Sequence, residues 1–430
     1  MKKKKDNKIG FFEAASIGIG GMVGGGIFAV LGLAVQLSNG GAPVAFLIAG
    51  IVALFTSYSY SRLSIAFPGK GGTVSFLDKA FGPGMFTGSV NILLWISYII
   101  MLSLYAFAFG SYGAELFPGL PHGLTKHLFI SGIVLIITLL NIFSAKLIGE
   151  AEDFVVSLKL LILIFFCVIG FTGIHTDNLI VSNWSPALNL VAGGFIIFLA
   201  YEGFELIANT SNDVRNPEKT LPRAFYTSVV FVIILYILVA TVTVGNLSVD
   251  KIVAAKDYAL AIAAKPFLGQ FGFILISIAA LLSTTSAINA TLYGSARLSY
   301  IISKDGELPA FLEDKIWNKP IEGLLITSAA TLIFANLFNL SSLSTMGSAG
   351  FLLIFSAVNL SNAKLSRQTK SKKTISYFGA GLCLGALASL LWQTLISNSE
   401  HIWIFIGIIV VSVGIEGLFR LFSKRELKIS

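Results

Sequence analysis

Long uninterrupted apolar runs set the first constraint on this chain. The stretch 402–413 carries no charge, and 158–170 carries only Lys159. A helix needs about 20 predominantly apolar residues to cross the hydrocarbon core of a bilayer, whereas a closed β-barrel would alternate polarity over segments of about 10. Only these two structures satisfy every backbone polar group in lipid, so continuous runs point to helices. Composition agrees, with 55% hydrophobic and 12% charged residues against roughly 25% charged in an ordinary soluble domain, and a mean hydropathy of +0.84. A soluble protein is excluded, and the expected fold class is an all-α polytopic membrane protein with about 12 transmembrane helices.

The net charge of +8 raises nucleic acid as a partner, but its distribution points to a lipid bilayer instead. With about twelve spans, about 25 basic residues fall on the side of the N-terminus. Lys126, Lys251, Lys256 and Lys265 remain on the other side, and Lys159 lies within a span. Such asymmetry marks cytoplasmic loops, so both termini are expected in the cytoplasm of a cell with this protein in its cytoplasmic (inner) membrane. The lysines at 2–5 and 8 could open a signal peptide, but the apolar run after them is long and lacks a small-residue cleavage site. Cys167 and Cys383 sit inside apolar runs without metal-ligand or redox spacing. No feature sets an oligomeric state, and the whole chain is expected to be one membrane domain.

Two spans are interrupted. The first contains Gly-Ile-Gly-Gly-Met-Val-Gly-Gly-Gly-Ile-Phe at 18–28, with six glycines, each weakening a helix by roughly 1 kcal/mol relative to alanine. The helix is expected to unwind near Gly24, close to mid-membrane. In the sixth, Leu-Ala-Tyr-Glu-Gly-Phe-Glu at 199–205 puts Glu202, Glu205 and a glycine at similar depth. Interrupted helices at matching places in two inverted halves point to a transporter's binding site. Free N–H groups at the start of the half-helix at Gly24, Gly25 and Gly26, flanked by Met22 and Ile27, suit a carboxylate. Carbonyls around Gly20, Leu199 and Ala200 suit an ammonium. Close helix packing is the plainer account of the glycines, although six exceed what one contact needs.

Other motifs fail on context. Gly-Gly-Gly-Ile-Phe-Ala at 24–29 fits the dinucleotide pattern formally but has no preceding strand and no acidic residue about twenty positions on. Pro-Gly-Lys-Gly-Gly-Thr at 68–73 lacks the spacing of a phosphate loop. The histidines lie near the external ends of spans without metal-ligand spacing. With no nucleotide site, the energy source is a gradient or a partner.

The glycine-rich stretch at 18–28 resembles the substrate-binding break of the amino acid/polyamine/organocation (APC) superfamily of secondary transporters. Asp-Val-Arg-Asn-Pro-Glu-Lys-Thr-Leu-Pro-Arg-Ala at 213–224 is similar to that family's loop after the sixth span, and 289–309 to its eighth span and following loop. The resemblance implies a LeuT-like 5+5 inverted repeat with discontinuous helices 1 and 6. The halves would be 11–174 and 189–363, with two additional C-terminal helices at 374–422. Read from its residues alone, the 213–224 loop has prolines, Pro217 and Pro222, that stop helices and basic residues that hold it in the cytoplasm, a structural role.

Burying a charge at mid-membrane costs about 2.5–3.5 kcal/mol on the insertion scale, so an ionisable residue there is a functional candidate. Glu202 and Glu205 are the acids deep in these halves and could exchange protons. The plainer alternative is that they only hydrate a watery vestibule. Among proteins that this sequence resembles, the Glu202 position is often apolar with its backbone lining the substrate site, so a carboxylate there would favour a cationic side chain. Lys159 could snorkel to the surface. In sodium-independent members of the family, a lysine on span five takes the place of sodium near the first-span break and polar residues of span eight, here Ser283 and Ser286, and its deprotonation would couple transport to protons.

The expected function is secondary active transport of an amino acid by proton symport with alternating access, with no cofactor beyond the proton gradient and no need for sodium. Leu199 and Phe204 would help shape the pocket. An exchanger, a cationic amine carrier, a non-transporting receptor and a membrane-embedded enzyme are the alternatives. An enzyme would need a cluster of catalytic groups that only Glu202 with Glu205 approaches.

Overall fold

The computed structural model describes residues 8–143, 145–304, 306–313, 320–397 and 399–422. The lysines at 2–5, Asp305 and the basic residues beyond 422 lie outside the described residues, so the expectations placed on them are not addressed by the fold. Among the described residues every regular element is a helix. Among the described residues nine helices are long and apolar enough to cross a membrane, or eleven spans with each bent pair counted as one, and with the shorter apolar helix Ile321–Leu337 the elements match the about twelve expected.

The first span is Phe11–Met22 followed by Gly26–Ser38, bent by 48° at the break. Ala42–Ala66 is the second and Met85–Glu115 the third, with the short helix Thr73–Phe81, not foreseen from the sequence, between them. His122–Phe143 and Ala145–Gly170 are the fourth and fifth. The sixth starts as the α-helix Ala187–Ile196 and continues as 3-10 segments, Phe198–Tyr201 and Phe204–Asp213, with a bend of 49°. The seventh is Pro217–Asn246; the eighth lies within Ala259–Lys304, where non-helical Gly269 (φ 60°) separates a preceding helical stretch from the span. Ile321–Leu337, Leu340–Lys364, Lys373–Ser397 and Ser399–Phe422 are the ninth to twelfth.

Burial separates centre from rim. In their most apolar windows, 89% of the residues of the third and tenth spans are buried, against 22% for the twelfth, so the third and tenth run through the core and the last faces lipid. In lipid, polar side chains join helices. Ser59 Oγ on the second span donates to Asn359 Oδ1 on the tenth at 2.7 Å, and Asn362 Nδ2 donates to Ser376 Oγ on the eleventh at 2.8 Å.

One expectation is corrected here. Pro217 starts the seventh span rather than stopping the sixth, and Pro222 lies inside that helix. Pro217 occupies the first turn, where its missing N–H is not needed; the carbonyl facing Pro222 belongs to Glu218, on the exposed opening turn. The structural role of this loop is visible in its backbone: Ile9 N–H donates to Asp213 O at 2.8 Å, and Arg215 N–H to Ile9 O at 2.9 Å.

Candidate substrate site

The two breaks lie side by side. Between Met22 and Gly26 the chain leaves helical geometry, and carbonyls freed by that interruption find side-chain donors. Lys159 Nζ donates to Gly20 O at 3.1 Å. The Ser283 hydroxyl lies 2.9 Å from Val23 O and 2.5 Å from Gly24 O. The Tyr236 hydroxyl reaches both breaks, 2.6 Å from Met22 O and 3.1 Å from Ala200 O. At the sixth-span break, Ser344 and Ser348 donate to Ile196 O, and Leu199 N–H donates to Ser348 Oγ at 3.0 Å. Each partner answers a backbone group that lipid could not solvate.

On the N-terminal side of the first break, spans one and six cross at Gly21 and Gly203. Gly203 has φ +116°, and a Cβ built on it would stand 2.5 Å from the Gly21 carbonyl carbon. No other residue type fits both the angle and the contact.

At this crossing ends a cavity of about 810 Å³, lined by Gly20, Gly21, Tyr98, Glu202, Glu205 and Ser286 among others, with Glu13, Lys70 and Arg297 also in its wall. That volume lies within the roughly 300–1,000 Å³ of small-molecule sites. The two acids are held differently. Glu205, 2% exposed, accepts from the Tyr98 hydroxyl at 3.1 Å and from Gly203 N–H at 2.7 Å. Glu202, 1% exposed, has no hydrogen-bond partner on either oxygen among the described residues.

Of the expected site residues, Gly20, Glu202, Glu205 and Ser286 line this cavity. Lys159 and Ser283 stand behind it on the first-span carbonyls. Lys159 is fully buried, so it does not snorkel to the surface. Gly24, Gly25 and Gly26 are packed against Ala287, the Tyr105 ring and Ala200 respectively. Met22, Ile27, Leu199 and Ala200 are buried at the joint of the two breaks, outside the cavity wall. Phe204 turns the other way, into an aromatic cluster with Tyr60, Phe225 and Phe355. The 3-10 winding separates the faces: at about three residues per turn, Leu206 and Asn209 share a face that borders the cavity, while Phe204 and Ile207 share one that is core.

Sequence reading missed Tyr98, Tyr105, Tyr236, Ser344 and Ser348. A mid-span tyrosine is itself a signal, because its hydroxyl needs a partner when buried; the i,i+4 spacing of Ser344 and Ser348 is another, placing both hydroxyls on one helix face.

Two broken helices meeting at a cavity are the mark of a secondary transporter. The chain belongs to the amino acid permease family of the APC superfamily, whose model matches residues 9–415. It is 39% identical to an uncharacterized protein of Methanocaldococcus jannaschii, covering 98% of this chain and 97% of that one. It is 31% identical to the inner membrane transport protein YbaT of Escherichia coli over 94% of each chain. With the methylthioribose transporter of Bacillus subtilis it shares 26% identity, over 93% of this chain and 91% of that protein. This is a multi-pass membrane transporter of amino acids with the LeuT-like fold, not an enzyme.

Proposed function

We propose that this permease is a sodium-independent proton symporter that brings its amino acid across the cytoplasmic membrane by alternating access, with both termini inside. The observation that carries the reading is the Lys159 ammonium on Gly20 O at the first-span break, at 3.1 Å. A fixed cation there supplies the charge that a sodium ion would bring, and loss of its proton would release the carbonyl and loosen the break. Basic residues concentrated on the side of the cavity mouth support a cytoplasmic orientation for that mouth.

Uptake of labelled amino acids into proteoliposomes tests it. Transport should proceed without sodium, rise with an inward proton gradient, and lose gradient-driven accumulation in Lys159→Ala. Strict sodium dependence, or undiminished accumulation in that variant, would overturn the mechanism.

A further inference from the structure

Backbone carbonyls at the two breaks each already accept one side-chain hydrogen bond. Gly20 O takes the Lys159 ammonium, Val23 O and Gly24 O share the Ser283 hydroxyl, and Met22 O and Ala200 O share that of Tyr236. Four of these five carbonyls, those of Met22, Val23, Gly24 and Ala200, belong to residues outside the cavity wall. Glu202 is the contrast: it lines the cavity, is 1% exposed, and has two oxygens without a hydrogen bond among the described residues.

A buried carboxylate whose charged neighbour is a second acid, Glu205, is among the costliest arrangements in a protein interior. Glu205, three residues on, shows what a satisfied acid looks like in the same place, with a tyrosine hydroxyl and a backbone N–H on its two oxygens. Helix packing does not require a carboxylate at 202, and neither does the crossing at Gly21 and Gly203, which is made by backbone. What remains unfilled is an acceptor for a cation arriving through the cavity.

We propose that Glu202 is the residue that receives the ammonium of the substrate, so that the cavity selects primary amines and rejects molecules of the same shape that lack one. This deepens the amino acid reading above and rests on the cavity being the substrate site. A compound without an amine, of the kind that gives the B. subtilis methylthioribose transporter its name, would leave the carboxylate uncompensated. The cation could be the α-ammonium or one at the end of a side chain; both present the same group to the carboxylate.

The test is binding to the purified full chain in detergent by calorimetry. The probes are leucine, its amine 3-methylbutylamine, its deaminated acid 4-methylpentanoate, lysine and 1,5-diaminopentane. The wild type should bind the amine-bearing probes and leave 4-methylpentanoate at least tenfold weaker than leucine. Glu202→Gln should weaken leucine and 3-methylbutylamine at least tenfold, while Glu202→Asp, which keeps the charge, stays within about threefold. Losses confined to lysine and 1,5-diaminopentane would assign the contact to a side-chain ammonium and also support the proposal.

Binding of 4-methylpentanoate as tight as that of leucine overturns the proposal even if the variants fail to fold. So does unchanged affinity for every amine in Glu202→Gln. Amines that bind while both amino acids do not would uphold Glu202 and overturn the amino acid reading. Amino acids that bind with no dependence on Glu202 would do the reverse.

Discussion

Gly203 and Gly25 concentrate what single residues contribute to this site. At Gly203 a side chain meets both a left-handed backbone (φ +116°) and the Gly21 carbonyl carbon 2.5 Å away. A non-glycine residue in that conformation costs about 1–2 kcal/mol before any clash is counted. Gly203→Ala should therefore lower the yield and thermal midpoint of the purified protein. At Gly25 the backbone angle is ordinary, and the constraint is the Tyr105 ring, 2.2 Å from a built Cβ. Gly25→Ala should push that ring off the first-span break and weaken amino acid binding at least tenfold with insertion preserved. Gly381→Ala on the eleventh span, where a Cβ meets nothing within 4 Å, serves as the control and should bind normally. Normal affinity in Gly25→Ala would show that the ring moves freely and that the break tolerates a side chain.

At the level of elements, the two broken spans are tied by residues far away in sequence. The Tyr236 hydroxyl spans 214 positions to Met22, and Ser344 spans 148 to Ile196. Tyr236→Phe removes the donor for two buried carbonyls, and each unsatisfied group costs about 1–3 kcal/mol. A lower thermal midpoint and weaker amino acid binding are the expected outcome; wild-type behaviour in both would mean that water replaces the hydroxyl. This is also where legibility in the sequence ends. The apolar runs located the spans, the glycines at 18–28 the first break and the residues at 199–205 the second, because those signals are local in composition. The orientation of Phe204 was not readable, since the sixth span changes from α to 3-10 winding after Ile196 and the faces shift with it. Nor was the use of the carbonyls around Gly20 and Ala200 by Lys159 and Tyr236, which no pattern within either break announces. The carboxylates at 202 and 205 were legible as a pair, but only the fold divides them into one satisfied and one unmatched acid.

Across the whole molecule, the cavity lies on one side of the breaks, and the other side is shut by contacts between different elements. Lys126 at the start of the fourth span donates to Asp257 at 3.0 Å and lies 3.5 Å from the centroid of the Phe107 ring on the third. The Tyr112 hydroxyl donates to Phe28 O at 3.0 Å, and Gly32 meets the Lys256 backbone so closely that a built Cβ would stand 2.3 Å from its carbonyl oxygen. The segment around 256–257 thus covers the second half of the first span, Gly26–Ser38, and the ion pair holds it to the fourth. Both partners are partly exposed, with 14% and 25% of their side-chain surface open. An exposed pair is worth up to about 1 kcal/mol, or about fivefold in a two-state population by RT ln K, and this pair is mostly covered, so its loss costs more. Lys126→Ala and Asp257→Asn should each raise the outward-open fraction by at least that factor. The readout is labelling of Ile27→Cys, fully buried at the joint, by an impermeant thiol reagent applied outside intact cells, in a background without Cys167 and Cys383. The charge-swapped double variant Lys126→Asp with Asp257→Lys should return labelling towards the parent rate, while Glu218→Cys at the start of the seventh span stays protected throughout. Labelling of Glu218→Cys from outside would invert the orientation, and unchanged Ile27→Cys rates in the single variants would show that the backbone contact at Gly32 closes the outer face without the ion pair.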